Sequence, residues 1–133
     1  LPVIPLIINA MTHPMPKLIR CYELGQALAR VLKMESRRVA VIAAGGLSHA
    51  PGERMHGEID TEFDQEFIRR LVANEVNTFT SYTDQEIERT GLGTHEIRSW
   101  ITAAGIAENK QAKVIFYEPI TAWATGCGLL YYA

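Results

Sequence analysis

The sequence has few cysteines, no long apolar run and no excess of positive charge. Its two cysteines, Cys21 and Cys127, are far apart and too few for a disulfide framework, so a reducing cytoplasm is the simpler expectation. The net charge is −2, and no cluster of lysine and arginine forms the basic stripe that nucleic acid requires. The longest apolar run is interrupted by Pro2 and Pro5 and lacks a basic segment before it. It is therefore neither a membrane span nor a signal peptide.

The overall composition is that of a soluble globular domain. Hydrophobic residues make up 47% and charged residues 21% of the sequence. A chain of 133 residues is long enough to form one domain with a buried core. Both ends are apolar and β-like, VIPLIINA at the start and GLLYYA at the finish. Because chain ends are usually polar and solvated, we expect residues 1–133 to be the C-terminal part of a larger single domain.

The hydrophobic periodicity predicts alternating strands and helices. Strands are expected at residues 3–9, 39–43, 113–117 and 128–132, the third of them stopped by Pro119. Helices are expected at residues 16–34 and 61–73, from the capping box of Thr83 and Glu86 to before Gly91, and from an N-cap near Thr94. This order predicts an α/β fold, a sheet with helices on both faces.

The stretch AAGGLSHAPGERMHGEID, residues 43–60, places two glycines and a histidine directly after an expected strand. In open α/β sheets, functional groups collect beyond the carboxyl ends of strands. Gly45 and Gly46 permit a close backbone approach, which would present His49 to a site above the sheet edge. The alternative is a tight turn followed by a surface histidine, and the local pattern leaves both open.

The stretch GLGTHEIRSW, residues 91–100, places Glu96 in the first turn of an expected helix. A carboxylate is favoured there by the helix dipole, so a structural role is the simpler interpretation. A metal ligand or general base is the alternative. His95 would point about 100° away around a regular helix, so the two side chains are not expected to bind one ion. The chain contains no HExxH, CxxC, P-loop or GxGxxG motif, and no G-x-S-x-G elbow surrounds Ser48.

Five stretches taken together, in order, resemble the class III extradiol ring-cleavage dioxygenases, and more narrowly the catalytic β-subunit of protocatechuate 4,5-dioxygenase and its relatives. They are RCYELGQAL, RVAVIAAGGLSH, HGEIDTEFDQEF, GTHEIRSWI and YEPITAWATG. The succession of GGLSH, xxEFDxxF and HEIxxW is more specific than any one of them. The resemblance covers nearly the whole chain.

The resemblance implies a non-haem Fe(II) site that binds a catecholic substrate and O2. The family's glutamate ligand falls on Glu96, and its active-site acid/base falls on His49. Ser48 and His95 are expected to contact substrate. The reaction implied is extradiol cleavage of a protocatechuate- or gallate-like ring to a ring-opened semialdehyde. A histidine suits proton transfer because its ordinary pKa lies near neutral pH.

The same resemblance places the two histidine ligands of the iron in an N-terminal half that this sequence does not match. We expect none of His13, His56 and His95 to replace them, so the chain by itself is predicted to be inactive. Family members form homo-oligomers or bind a small second subunit, and either assembly is expected here.

Two other function classes stay open. The chain could be a non-catalytic homologue with a structural or regulatory role, which an absence of metal from the whole protein would favour. It could instead belong to a zinc-dependent enzyme on the same scaffold. Metal analysis combined with an O2-consumption assay separates the three.

Overall fold

The computed structural model describes residues 2–133 and contains five α-helices and one β-hairpin. The helices are α1 (Leu18–Leu32), α2 (Thr61–Val72), α3 (Val76–Phe79), α4 (Asp84–Glu88) and α5 (Ile97–Ala107). A 3₁₀ turn, Leu92–Glu96, precedes α5. The strands β1 (Ala112–Ile120) and β2 (Thr125–Tyr132) follow, joined by a second 3₁₀ turn at Thr121–Trp123. The predicted α/β class is confirmed.

The core lies between α1, α5 and α2. Helices α1 and α5 approach closely because Gly25 faces Gly105, and a Cβ on either glycine would overlap the other helix's backbone. The side chains that fill the core are buried and mostly apolar: Leu18, Cys21, Leu47, Phe67, Leu71, Phe79, Ile87, Ile97 and Ile101. Among residues 2–133, no helix is both long and apolar enough to cross a bilayer.

The hairpin is longer than predicted at both strands. β1 pairs antiparallel with β2 from Ala112 opposite Tyr132 to Ile120 opposite Thr125. Pro119, expected to end the strand, lies inside β1 opposite Gly126. The backbone N–H and C=O of Gly126 bond instead to Ser48 and Leu47 on its other side. The Pro119–Gly126 pair therefore does not need the backbone N–H that proline lacks.

The strands predicted at residues 3–9 and 39–43 are wrong. Both segments run without regular secondary structure, and their apolar side chains are exposed, Val3 by 82% and Ile42 by 89%. A buried strand requires hydrogen-bonded neighbours, and within residues 2–133 only β1 and β2 pair as a sheet. The sequence carries the apolar pattern of two strands, and the described residues do not supply their partners.

The helix starts are partly as predicted. The capping box is confirmed: the hydroxyl of Thr83 accepts from the Glu86 N–H, and the Glu86 carboxylate accepts from the Thr83 N–H. The N-cap expected at Thr94 is wrong, because residues 92–96 form the 3₁₀ turn and α5 begins at Ile97. The Thr94 hydroxyl donates to the Thr90 carbonyl in the turn before, so it does not cap α5.

Candidate active site

His49 and Glu96, far apart in the sequence, face each other in the structure. His49 Nε2 lies 4.0 Å from Glu96 Oε1. His49 follows the extended segment that ends in Gly45 and Gly46, and Glu96 lies where the 3₁₀ turn passes into α5. The fold thus brings the two expected catalytic positions to one place.

The glycine pair holds Glu96 directly. The Gly46 N–H donates to Glu96 Oε2 at 2.5 Å, which leaves Oε1 free to face His49. A Cβ at Gly45 would lie 2.9 Å from the Glu96 carbonyl oxygen, so only glycine allows this approach. Trp100 Nε1 donates to the Gly45 carbonyl at 2.8 Å and fixes the loop to α5. The carboxylate of Glu96 is therefore oriented by backbone, with one oxygen available.

The neutral ring of His49 has one tautomer set by its surroundings. Its Nδ1 lies 2.7 Å from the Leu47 carbonyl oxygen. Because a carbonyl can only accept, Nδ1 carries the hydrogen, and Nε2 then carries a lone pair towards Glu96. The side chain of His49 is 16% exposed and that of Glu96 40% exposed. The pair can therefore offer a base and an anionic oxygen to a ligand that arrives from solvent.

Two further glycines enclose His49 from the turn before α5. The Gly93 N–H donates to the His49 carbonyl at 3.1 Å, and a Cβ at Gly93 would overlap the imidazole ring. Gly91 has φ +110°, and its Cβ would overlap the His49 carbonyl. The Thr94 hydroxyl accepts from the His49 N–H at 3.3 Å. The histidine is thus fixed at backbone and ring by residues 91–94.

A buried carboxylate, Asp64 of α2, holds the loop that carries Ser48 and His49. Asp64 Oδ1 accepts from the Ser48 N–H at 2.8 Å, and Oδ2 accepts from the Ser48 hydroxyl at 2.8 Å. The Tyr117 hydroxyl of β1 donates to the same Oδ2 at 2.9 Å. Burial raises the pKa of Asp64 against the lowering effect of these bonds. Burial, and then the bond to Asp64, raises the pKa of Tyr117. Asp64 therefore joins α2, β1 and the residue before His49.

Asp64 is a supporting residue that the sequence motifs do not single out, although a signal for it exists. Residues 64, 67, 68 and 71 recur at helical spacing and form the buried stripe of α2. A carboxylate in an apolar stripe needs buried partners. An acidic residue in the first turn of a helix is also favoured by the helix dipole. Because that explanation fits Asp64 as well, the sequence alone does not distinguish a solvated carboxylate from a buried one.

The structure does not give Ser48 the substrate contact expected of it. Its side chain is fully buried, donates to Asp64 and accepts from the Asp60 N–H at 2.9 Å. The one hydrogen that its hydroxyl can donate goes to Asp64 and the side chain is buried, so in this structure Ser48 holds the loop.

His95 likewise lies away from the His49–Glu96 pair. Its ring is 1% exposed, with Nδ1 2.6 Å from Arg98 Nη1 and Nε2 3.4 Å from Glu88 Oε1. Burial first, and then the neighbouring Arg98, lowers the pKa of His95. The 3₁₀ turn directs the His95 ring into a buried polar network, whereas the sequence led us to expect a contact with substrate.

The remaining histidines also lie outside the pair. His13 Nε2 contacts Glu88 Oε1 at 3.2 Å, and His56 lies in the turn-rich loop after His49. No group of three or more His, Cys, Asp or Glu side chains within residues 2–133 is arranged to hold a metal. Glu96 Oε1 is an anionic oxygen of the kind that metal ions bind, and within residues 2–133 it belongs to no group of three such side chains.

Known proteins are similar in sequence to nearly the whole of this chain. Residues 1–128 match the family model described as the catalytic LigB subunit of aromatic ring-opening dioxygenase. Named relatives include the 2,3-dihydroxyphenylpropionate/2,3-dihydroxicinnamic acid 1,2-dioxygenases of Paraburkholderia xenovorans (strain LB400) and Azotobacter vinelandii (strain DJ / ATCC BAA-1303). Each is 27% identical, over 178 and 176 residues. The alignments cover 98% and 97% of this chain but 56% of each relative. The chain therefore spans about half the length of these relatives.

Proposed function

Because the chain belongs to the LigB family of aromatic ring-opening dioxygenases, we propose that it forms part of an Fe(II)-dependent extradiol dioxygenase that opens a catecholic ring with O2. The observation that carries the proposal is the approach of His49 Nε2 to Glu96 Oε1 at 4.0 Å, with the second oxygen of Glu96 held by the Gly46 N–H. Residues 1–133 would be the C-terminal portion of the catalytic domain.

Glu96 would supply one anionic ligand to the iron through Oε1. A facial arrangement needs two histidine ligands besides the carboxylate, and these would come from polypeptide outside this chain. When bound, the metal would supply contact with both substrate hydroxyls and the means to activate O2. The Gly46 N–H would keep the Glu96 carboxylate oriented towards the site. Because that side chain is already held, metal binding would cost it less conformational entropy.

His49 would move the protons. Its Nε2 lone pair can accept the proton of a catechol hydroxyl beside Glu96, while Nδ1–H stays bonded to the Leu47 carbonyl. The resulting imidazolium can return that proton to an oxygen of the reacting ring at a later step. Ser48 and Asp64 would act only by holding the loop, and His95 is not assigned to the site.

A catecholic acid is the substrate class that we propose. The named relatives are dioxygenases of 2,3-dihydroxyphenylpropionate, whereas the resemblance stated from the sequence implies a protocatechuate- or gallate-like acid. All three share a catechol and a carboxylate. Turnover should be measured by O2 consumption and product absorbance for each of the three compounds, with the natural protein that contains this chain. The relative rates rank the three as substrates.

The decisive experiment replaces His49 and Glu96 in that natural protein. We expect His49→Gln to lower turnover by about 10² to 10⁴-fold, the range of general acid–base catalysis, with its iron content unchanged. Glu96→Gln should lower the bound iron itself, measured by elemental analysis. Full turnover in His49→Gln would contradict the proton-transfer role, and zinc as the only metal supporting activity would contradict iron.

The proposal also covers the cellular compartment and the assembly of the protein. Cys21 and Cys127 are both free thiols, which supports a reducing cytoplasm. Assembly as a homo-oligomer or with a small second subunit stays part of the proposal, and light scattering of the natural protein would test it.

A further inference from the structure

A buried guanidinium, that of Arg98 in the first turn of α5, has no part in the proposed function. Its side chain is 0% exposed, whereas the Asp84 carboxylate of α4, which lies 2.7 Å from it, is 44% exposed. Burying a charge costs free energy, and an apolar side chain of similar size often stabilises a fold as well as a buried ion pair does. Packing alone therefore does not account for an arginine at this position.

The guanidinium of Arg98 makes hydrogen bonds in three directions. Its Nε donates to the carbonyl of Pro16, just before α1, at 2.9 Å. Its Nη2 donates to Asp84 Oδ1 of α4 at 2.7 Å. Its Nη1 donates to His95 Nδ1 at 2.6 Å and to the His95 carbonyl at 3.4 Å. Arg98 thus links both the ring and the backbone of His95 to two elements that are distant in the sequence.

The ring of His95 adopts the one neutral tautomer that fits these contacts. A guanidinium can only donate, so Nδ1 accepts from Arg98 and Nε2 carries the hydrogen. Nε2 lies 3.4 Å from Glu88 Oε1 of α4. His95 is therefore held at one nitrogen by α5 and at the other by α4, and its carbonyl is held as well.

Glu96 follows His95 directly, so the position of His95 sets where the Glu96 side chain begins. On the other side, the Gly46 N–H donates to Glu96 Oε2. Gly45 lies so close that a Cβ there would be 2.9 Å from the Glu96 carbonyl oxygen. Glu96 is thus held between the glycine pair and the residue that Arg98 binds.

We propose that Arg98 is a positioning residue for Glu96, which it keeps in a metal-binding orientation through His95. The inference rests on the proposed function in one respect, the assignment of Glu96 as a ligand of the iron. Groups that orient a metal ligand without touching the metal commonly contribute about 10 to 100-fold to metal affinity. We therefore expect Arg98→Met to weaken Fe(II) binding by the natural protein about 10 to 100-fold, measured by competition with a chelator of known affinity.

Amide hydrogen exchange of the metal-free natural protein gives a readout that does not need iron. The Gly46 N–H reports on the Glu96 carboxylate, to which it donates. We expect Arg98→Met to speed the exchange of this amide at least about tenfold. Arg98→Lys keeps the charge, but one ammonium group does not reproduce the planar fork, so both effects should be present and smaller. If Arg98→Met does not fold, Arg98→Lys provides the same two readouts.

Arg70→Met is the matched control, because it makes the same substitution on α2. Arg70 is also ion-paired and its side chain is 25% exposed. Its polar partners, Glu66 and Thr78, lie outside the candidate active site. We expect this variant to leave both the Gly46 exchange rate and the affinity for Fe(II) unchanged.

Three results would overturn the proposal. The first is Gly46 exchange in the Arg98 variant within about twofold of wild type. The second is equal acceleration in Arg98→Met and Arg70→Met, which would indicate a general loosening of the fold. The third is an unchanged affinity for Fe(II) in the Arg98 variant of a protein that binds iron. A wild-type protein that binds no iron would instead contradict the proposed function, and Gly46 exchange would still decide whether Arg98 holds the carboxylate.

Discussion

Replacing Asp64 should destabilise the protein more than any exposed acidic substitution, because three donors converge on its carboxylate. The Ser48 N–H is buried with its residue and donates to Asp64 Oδ1. The Ser48 and Tyr117 hydroxyls converge on Oδ2. In Asp64→Ala the orphaned N–H costs about 1–3 kcal/mol, and the lost bonds to a charged acceptor cost about as much again. The expected loss in the free energy of unfolding is therefore about 2–6 kcal/mol.

Asp64→Asn is the matched control. Its carbonyl can still accept from the Ser48 N–H, and its amide can donate to the two hydroxyls once they rotate. We expect a loss of about 1–2 kcal/mol, clearly smaller than for alanine. Urea unfolding followed by tryptophan fluorescence measures both. With a slope of about 2 kcal/mol/M, the middle of the usual range, the alanine variant should shift the midpoint by about 1–3 M.

The pH dependence of this control has a definite sign. Burial raises the pKa of Asp64 in the folded state above its ordinary value of 3.8. A raised pKa contributes stability below the unfolded value and loses it as pH rises through the folded value. Since asparagine does not titrate, the loss caused by Asp64→Asn should be largest near pH 4 and shrink towards pH 7. A loss that grows with pH, or an alanine variant within about 1 kcal/mol of wild type, would refute the reasoning.

Three further predictions concern the site, a helix start and the core. Gly93→Ala should displace the His49 ring and lower turnover of the natural protein by at least about tenfold without unfolding it; in a His49→Ala background it should have no further effect, and an additive loss would contradict the contact. Thr83→Ala removes the hydroxyl that accepts from the Glu86 N–H, and urea unfolding should show a loss of about 0.5–2 kcal/mol. Phe67→Ala leaves a cavity at a fully buried position and should cost about 3–5 kcal/mol by the same assay, whereas a loss below about 1 kcal/mol would mean that the core closes over it.

The helices could be predicted from the sequence because their signals are local. The stripe of α2 and the capping box at Thr83 depend on residues three or four apart, which are neighbours on one helix whatever surrounds it. The 3₁₀ turn at residues 92–96 could not be predicted, because it depends on contacts with a distant segment. Gly93 and Thr94 bond there to the backbone of His49.

By itself the sequence determined four of the five helices, with α5 beginning later than predicted, and the α/β class, since periodicity is a property of neighbouring residues. Its resemblance to a known family implied the roles expected of His49 and Glu96. Only the tertiary structure decided which candidate side chains meet. It brought Nε2 of His49 to Oε1 of Glu96, withdrew Ser48 into bonds with Asp64 and turned His95 towards Arg98. It also decided that residues 3–9 and 39–43 remain unpaired among the described residues. Strand pairing and side-chain convergence depend on groups distant in the chain, and no local pattern specifies where those groups will lie.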